Sequence, residues 1–297
     1  MTGAERGFLL LTSHLGDPLR PVLTVPQFRE LTNRVHVAVR EESEKQLSTG
    51  DLTALGYSWE FANRIMQLLS QEDLLDNYLR NGTISDCTVV TRANPAYPAM
   101  LRRKMGLNSP GSLWLKGDVT LLSQKAIAVV GSRDLRDGNR LFAEMAGRQI
   151  AAQGYVLISG NARGTDRTAQ DACLEAGGRV IIVVADSLKK QKLRENVLYI
   201  SEDGFDAAFS SFRALSRNRV IHALGSAAIV AQSSLRKGGT WQGTTENLRN
   251  SWSPVFCYED GSVAAEELIE RGAAPISIEQ LSDLSANTKN MLSFFDR

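Results

Sequence analysis

Apolar positions divide the chain into two parts with different periodicities. From about Val25 to Arg80, they recur three or four residues apart, which predicts amphipathic helices. From about Lys125 onward, short apolar runs such as Ala126-Ile-Ala-Val-Val alternate with helical stretches, which predicts parallel strands buried on both faces. The chain is therefore predicted to be an α/β protein, in which a small helical N-terminal domain precedes an extended Rossmann-like parallel-sheet domain.

Apolar runs in the second part predict five strands with helices between them. The strands begin at Ala126, Tyr155, Val180, Ala227 and Pro254. The helices run from Arg140 to Gln153 and from Asp166 to Glu175, and a third passes through Glu246. This alternation is typical of a doubly wound parallel sheet.

Turn-forming residues and charge set the expected domain boundaries. Residues 1–88 form the helical domain, and residues 89–124, which contain several prolines and glycines, form a connecting segment. We expect the Rossmann-like domain over residues 125–275 and an acidic C-terminal end over residues 276–297.

In the helical domain, the residues around Gly56 predict a pair of helices. A short helix from Asp51 ends at this glycine, and Ser58 begins a second helix. Sterile-alpha-motif and helix-hairpin-helix modules have this pattern. Helical caps without activity have it too, and we favour that second interpretation.

Composition excludes several classes of protein. With 297 residues, of which 43% are hydrophobic, the chain is long and apolar enough for two cores. Its three cysteines and three histidines are scattered, so we expect neither disulfides nor a metal site. No stretch approaches the ~18 apolar residues of a membrane span, and the N-terminus lacks the layout of a secretory signal, so we expect a cytoplasmic protein.

Charge is unevenly distributed, although the formal net charge is only +1. Counts of Lys and Arg against Asp and Glu give +6 for residues 121–257 and −5 for residues 258–297. A basic central block attracts polyanions, but a surplus of this size also fits an ordinary solvated surface.

Glycine, hydroxyl and cationic residues follow three of the predicted strands. Parallel sheets bind ligands beyond the carboxyl ends of their strands, where backbone N–H groups and arginine side chains hold phosphate oxygens. The candidate phosphate-binding residues are Gly131, Ser132 and Arg133; Ser159, Gly160, Arg163 and Gly164; and Lys237, Gly238, Gly239 and Thr240. Neither the dinucleotide-binding glycine motif nor the P-loop motif is present, so we expect no cofactor.

Two aromatic residues, Phe209 and Phe212, precede a further group of cations around Arg217. Aromatic side chains beside arginines stack on nucleic-acid bases. Residues three apart also lie on one face of a helix, so the two rings fit a core-facing position equally well.

Several motifs together resemble one protein family. They are Ala126-Ile-Ala-Val-Val-Gly-Ser-Arg, Ile158-Ser-Gly-Asn-Ala-Arg-Gly-Thr-Asp, Leu174-Glu-Ala-Gly-Gly and Ser216-Arg-Asn-Arg-Val-Ile, with Ala96-Tyr-Pro-Ala-Met-Leu upstream. Their order and spacing are similar to those of the DprA/Smf family of bacterial DNA-processing proteins. The resemblance covers roughly residues 50–275.

The resemblance implies a single-stranded DNA-binding protein that forms a homodimer and has no catalytic residue. It also implies a RecA-type recombinase as a partner, loaded onto incoming strands during transformation. Arg133, Arg163, Arg217 and Arg219 would hold phosphates, with Asn218 in the same motif. Asp166 would cap a helix and support the second loop.

The chain departs from the family pattern at Leu215-Ser216 and in the last loop, Lys237-Gly-Gly-Thr-Trp-Gln-Gly-Thr-Thr-Glu. Phage defence or plasmid maintenance is therefore an alternative to transformation. The altered loop is also similar to the motif of LOG-type phosphoribohydrolases, in which Glu246 would be the essential carboxylate and Thr244 a phosphate ligand. A nucleotide-binding sensor without chemistry is the remaining alternative.

Overall fold

A computed structural model describes residues 1–38 and 47–285 of the chain. They form two compact units. The smaller consists of Met1–Tyr97 with Gly111–Trp114, and the larger consists of Pro98–Pro110 and the chain from Leu115 onward. Residues of the expected connecting segment, 89–124, therefore contribute to both units.

Within its described residues, the smaller unit contains five helices around an apolar core. Its elements are α1 (Gly3–Thr12), α2 (Val25–Ala38), α3 (Thr49–Ala54), α4 (Trp59–Leu69), α5 (Glu72–Ile84) and the strand β1 (Cys87–Thr91). Leu31, Leu52 and Ile65 are buried at the centre. The predicted helix pair is confirmed: Gly56 adopts a φ of +88° after α3, and the Ser58 hydroxyl accepts the N–H of Phe61 in the first turn of α4.

The larger unit contains a parallel sheet with helices between its strands. Its strands are β3 (Ala126–Gly131), β4 (Val156–Ser159), β5 (Arg179–Val183), β6 (Val197–Ser201), β7 (Ala227–Gln232), β8 (Val255–Tyr258) and β9 (Ala274–Ile276), and β2 (Ser112–Gly117) runs across the boundary of the two units. Its helices are α6 (Ala99–Met105), α7 (Asp137–Ala152), α8 (Thr165–Glu175), α9 (Ser211–Leu224), α10 (Gly238–Asn250) and α11 (Val263–Glu270). The predicted α/β, Rossmann-like class is confirmed.

The order of strands in this unit is β6-β5-β4-β3-β7-β8-β9, and neighbouring strands pair in parallel. The chain builds outward from β3 in one direction through β6 and then returns to the other side of β3 with β7. Loops on both sides of such a reversal open a crevice at the carboxyl ends of the strands. The crevice therefore lies at the ends of β3, β4 and β7, which carry the predicted loops.

Among residues 1–38 and 47–285, no helix has the length and apolar character that a membrane crossing requires. Within the same ranges, no group of three or more histidine, cysteine, aspartate or glutamate side chains is placed to hold a metal ion. Part of the predicted acidic end, residues 286–297, lies outside the described residues.

Candidate nucleic-acid interface

The crevice contains a cavity of about 470 Å³, here called the central cavity. Loops after β3, β4 and β7 and one face of α9 line it. From the predicted site it collects Gly131, Ser132, Arg133, Asp166, Arg217, Asn218, Lys237, Gly238, Gly239 and Thr240. The remaining predicted residues, Ser159, Gly160, Arg163, Gly164 and Arg219, are not part of its lining.

Close backbone contacts fix the first two loops against each other. Gly164 has a φ of +78°, and a Cβ atom there would overlap the carbonyl oxygens of Ser132 and Arg133. Thr165, the first residue of α8, donates from both its backbone N–H and its hydroxyl to the Ser132 carbonyl, at 3.1 Å each. The hydroxyl of Thr240 similarly donates to the carbonyl of Gly131, at 2.9 Å. Glycine and threonine thus hold the three loops in one fixed arrangement.

Two cations at the central cavity are exposed. Among the described residues, the side chains of Arg133 and Lys237 have no hydrogen-bond or ion-pair partner. They are on the loops after β3 and β7, which are neighbouring strands. Both charges are therefore free to bind an anion from solvent.

Arg163 is also exposed, but it forms an ion pair. Its guanidinium lies 2.9 Å from a carboxylate oxygen of Asp134, and the two side chains are 74% and 85% exposed. Exposed pairs contribute only about 0–1 kcal/mol to stability. A phosphate can therefore displace Asp134 at little cost.

Arg217 is buried, whereas the sequence predicts that it holds phosphate. Its Nη1 donates to the Val183 carbonyl at 2.9 Å, and its Nη2 lies 3.9 Å from Asp166. Its side chain is only 11% exposed, and Nε is buried without a partner. Arg217 thus joins the ends of β5 and α8 beneath the cavity rather than projecting into solvent.

Arg219 lies away from the central cavity. Its Nη2 donates to the Ser216 hydroxyl one turn earlier on α9, at 2.9 Å. Residues two apart on a helix point in different directions, so Arg217 and Arg219 cannot both face one site. The Arg-Asn-Arg motif thus supplies Arg217 and Asn218 to the cavity, but not Arg219.

Asp166 supports the second loop, although it is not a helix cap. Gly164 occupies the capping position of α8, and the Asp166 carboxylate accepts the N–H of Ala162 at 3.2 Å. Burial raises the pKa of Asp166 above its usual range, and the Arg217 guanidinium opposes this rise. Asp166 and Arg217 form one buried unit under the loop.

The sequence leaves open whether Phe209 and Phe212 stack on bases or face the core, and their exposure decides between these two interpretations. Phe209 is 57% exposed and lines the central cavity, and Phe212 is 78% exposed. Neither ring faces the core, so both present an aromatic face to solvent.

Arg213 holds the segment that carries Phe209, a role that the sequence did not reveal. Its Nη1 donates to the carbonyls of Ala185, Ala207 and Ala208 at 2.7–2.8 Å. The ring at residue 209 therefore stands on a fixed backbone beside the cavity.

His222 forms part of the cavity floor. It is 1% exposed, and its Nδ1 lies 3.1 Å from the side-chain amide of Asn247. Burial, with a smaller contribution from Lys104, lowers the pKa of His222 to about 4, so the ring is neutral at pH 7. His222 is thus a neutral residue packed in the core.

The residues of the hydrolase alternative lie outside the cavity lining. Glu246 is on the third turn of α10 and Thr244 is fully buried, with no partner for its hydroxyl. Neither lines the central cavity.

Comparison with known proteins identifies the family. The model of the DNA recombination-mediator protein A family matches residues 88–288, about two thirds of the chain. The chain belongs to this family. The resemblance to DprA/Smf proteins is thereby confirmed, and the family's role is DNA processing.

Curated relatives of the family are moderately similar to this chain. DNA processing protein DprA of Bacillus subtilis is 27% identical over 194 residues, which is 61% of this chain and 65% of the relative. DprA of Streptococcus pneumoniae is 30% identical over 179 residues, 56% of this chain and 63% of the relative. The chain thus spans less than two thirds of the length of these relatives.

Two solved structures of the family share the fold. The crystal structure of S. pneumoniae DprA matches with a TM-score of 0.66 and 22% identity, covering 87% of this chain and 97% of that one. The structure of Helicobacter pylori DprA, described for its single-stranded DNA-binding mode, matches with a TM-score of 0.55 and 22% identity, covering 71% and 96%.

Proposed function

We propose that this protein binds single-stranded DNA along the carboxyl edge of its parallel sheet. One observation carries the proposal: Arg133 and Lys237, both exposed and unpaired among the described residues, border the same open cavity as the exposed ring of Phe209. Cations that hold the backbone beside an aromatic face that stacks on bases are the usual means of binding single strands.

The backbone around the cavity adds further donors. Helix α10 begins at Gly238 with no side-chain cap, so the first N–H groups of the helix are available to an anion at the cavity. Arg163 supplies a third exposed cation on the neighbouring loop. The helix terminus and Lys237 thus favour a phosphate at the same place.

The H. pylori relative, whose structure is described for its single-stranded DNA-binding mode, supports the same ligand class for this chain. The family name, a recombination mediator, supports a RecA-type recombinase as partner. We also propose that the protein forms a homodimer. Its biological role would be in transformation, phage defence or plasmid maintenance.

Equilibrium binding tests this function directly. A fluorescent single-stranded oligonucleotide is titrated with the protein over a salt series, with duplex of the same sequence as competitor. We expect tight binding that prefers the single strand and weakens steeply as salt rises, because bound cations release counterions. Absence of binding at low salt would overturn the proposal.

The volume of the central cavity favours a second candidate, a nucleotide sensor. About 470 Å³ is within the roughly 300–1,000 Å³ of small-molecule sites. If a nucleoside monophosphate is the true ligand, it will displace the oligonucleotide at micromolar concentration and bind without it.

A further inference from the structure

The floor of the central cavity carries an imidazole ring whose orientation is fixed. His222 lines the cavity and is 1% exposed. Its Nδ1 lies 3.1 Å from Nδ2 of Asn247, and its Nε2 has no hydrogen-bond partner among the described residues. What this ring offers a ligand therefore depends on which of its two nitrogens carries the proton.

Asn247 determines the protonated nitrogen of His222. The Oδ1 atom of Asn247 accepts the N–H of Ser253 at 2.9 Å, so its amino group must be the part that faces His222. An amino group only donates, and Nδ1 of His222 therefore accepts. Because the ring is neutral at pH 7, its single proton is on Nε2. The cavity floor thus presents a hydrogen-bond donor.

Asn218 presents an acceptor one turn earlier on helix α9. Residues four apart on a helix share a face, and the side chains of Asn218 and His222 both line the central cavity. Nδ2 of Asn218 donates to the Gly239 carbonyl at 3.1 Å, which leaves Oδ1 to accept a hydrogen bond from a ligand. Asn218 is partly exposed whereas His222 is buried, so the donor lies deeper than the acceptor.

The rim of the same cavity is cationic, and its walls are partly apolar. Arg133 and Lys237 are exposed at the rim, where α10 begins at Gly238 without a side-chain cap. Val130 and Ile221 contribute apolar surface to the walls. A nucleotide whose phosphate binds at this rim would therefore direct its base toward the floor.

The group of a base that lies farthest from the sugar differs between two classes of bases. It is an oxygen in thymine and guanine, but an amino group in cytosine and adenine. The Nε2–H of His222 can pair with the oxygen and not with the amino group. The neighbouring ring nitrogen carries a proton only in thymine and guanine, and that proton matches Oδ1 of Asn218. Donor and acceptor thus fit the same class of bases.

We propose that the central cavity selects thymine and guanine over cytosine and adenine in a bound single strand, and that His222 and Asn218 read the base. This inference deepens the proposed function and rests on it. A base of the other class would leave the buried donor of His222 unpaired, which is the effective way to reject a near-identical ligand.

Homopolymeric oligonucleotides test this selectivity. Affinities of the full chain for thymidine and deoxycytidine oligomers of about twelve nucleotides are measured by fluorescence anisotropy at neutral pH and constant salt. The two oligomers carry the same phosphates, so the ratio of their dissociation constants reports the bases alone. Deoxyinosine and deoxyadenosine oligomers repeat the comparison with purines, because hypoxanthine has the oxygen and the ring N–H of guanine.

We expect the unmodified protein to bind the thymidine oligomer roughly tenfold more tightly than the deoxycytidine oligomer, with the same order for deoxyinosine over deoxyadenosine. His222→Leu removes the donor and should abolish most of this preference. Asn218→Ala removes the acceptor and should reduce the preference several-fold. The control is His14→Leu, which changes an exposed histidine of the smaller unit and should leave the ratio unchanged.

Asn218 is partly exposed, so its alanine variant decides the test if the leucine variant at residue 222 does not fold. Equal affinity of the unmodified protein for thymidine and deoxycytidine oligomers would overturn the inference. So would a preference that persists undiminished in the folded variants. Absence of binding by the unmodified protein to any of the four oligomers would instead overturn the proposed function, and the base selectivity with it.

Discussion

The guanidinium of Arg217 lies against the backbone of Gly160, so that a Cβ atom at residue 160 would overlap it. Because Arg217 also bonds Val183 and faces Asp166, it cannot move without breaking a buried arrangement. Gly160 directly follows β4 at the edge of the candidate site. The contact therefore links the stability of the sheet edge to the shape of the central cavity, which Arg217 lines.

Gly160→Ala tests this contact. The added methyl group displaces Arg217 from Val183, and we expect a loss of about 1–3 kcal/mol in the free energy of unfolding, measured by urea denaturation. Gly138→Ala is the control, since Gly138 is in helix α7 with open space around it and should gain up to about 1 kcal/mol. Equal stability of the Gly160 variant and the unmodified protein would contradict the close contact between Gly160 and Arg217.

Removal of the two free cations tests the interface. Arg133→Ala with Lys237→Ala should lower the slope of log affinity against log salt by about 1.4, because each lost phosphate contact accounts for about 0.7 on a single strand. The slope is obtained from anisotropy titrations in a salt series. Lys125→Ala with Arg249→Ala removes equal charge at the opposite sheet edge and should preserve the slope. Unchanged binding after the first pair of substitutions would remove these residues from the interface.

Phe209 tests the contribution of stacking. Phe209→Leu keeps the apolar bulk but loses the aromatic face, and we expect it to weaken oligonucleotide binding by about 1–3 kcal/mol at constant salt slope. Val119→Ala changes another exposed apolar residue, outside the cavity lining, and should have no effect. If the leucine variant binds as well as the unmodified protein, Phe209 does not stack on a base.

His222 makes stability depend on pH. Burial lowers its pKa to about 4 in the folded protein, against about 6.5 when unfolded, so the unfolded chain takes up the proton first as pH falls. The stability that comes from keeping this ring neutral is fully present above pH 6.5. It is lost as pH falls toward 4, and the total loss in the free energy of unfolding is about 3 kcal/mol. Urea denaturation at several pH values measures it.

The matched variant for this test is His222→Gln, which cannot titrate. Its free energy of unfolding should fall less between pH 7 and pH 5 than that of the unmodified protein. Identical pH profiles would show that His222 is protonated equally in both states.

The strands of the sheet were predictable where apolar runs are continuous. The predicted runs at Ala126, Tyr155, Val180, Ala227 and Pro254 correspond to β3, β4, β5, β7 and β8. Strand β6 is just as apolar and fully buried, but charged residues flank it and no α-helix separates it from β5, so the alternation of strands and helices does not reveal it. Strand β9 has only three residues, including Pro275, which gives no periodic signal.

The sequence predicts which loops form the candidate site, but not which of their side chains face solvent. Glycine-rich turns after β3, β4 and β7 meet because the strand order brings them together, and the sequence supports that inference. Whether an arginine faces solvent depends on which backbone carbonyls and carboxylates lie near it. Arg217 and Arg163 look alike in the sequence, yet Val183 and Asp166 bury the first while the second stays exposed.

The position of β3 between β4 and β7 has a consequence during synthesis. Ile127 pairs with Ala227, a hundred residues later, whereas β4 follows β3 closely in the chain. At about 5–20 residues per second, the ribosome completes β7 roughly 5–20 s after β3. Until then, one side of β3 offers open hydrogen-bonding groups, and an open strand edge pairs readily with other chains. Strand β3 is central in the finished sheet, but during synthesis it is an open edge that is exposed to pairing with other chains.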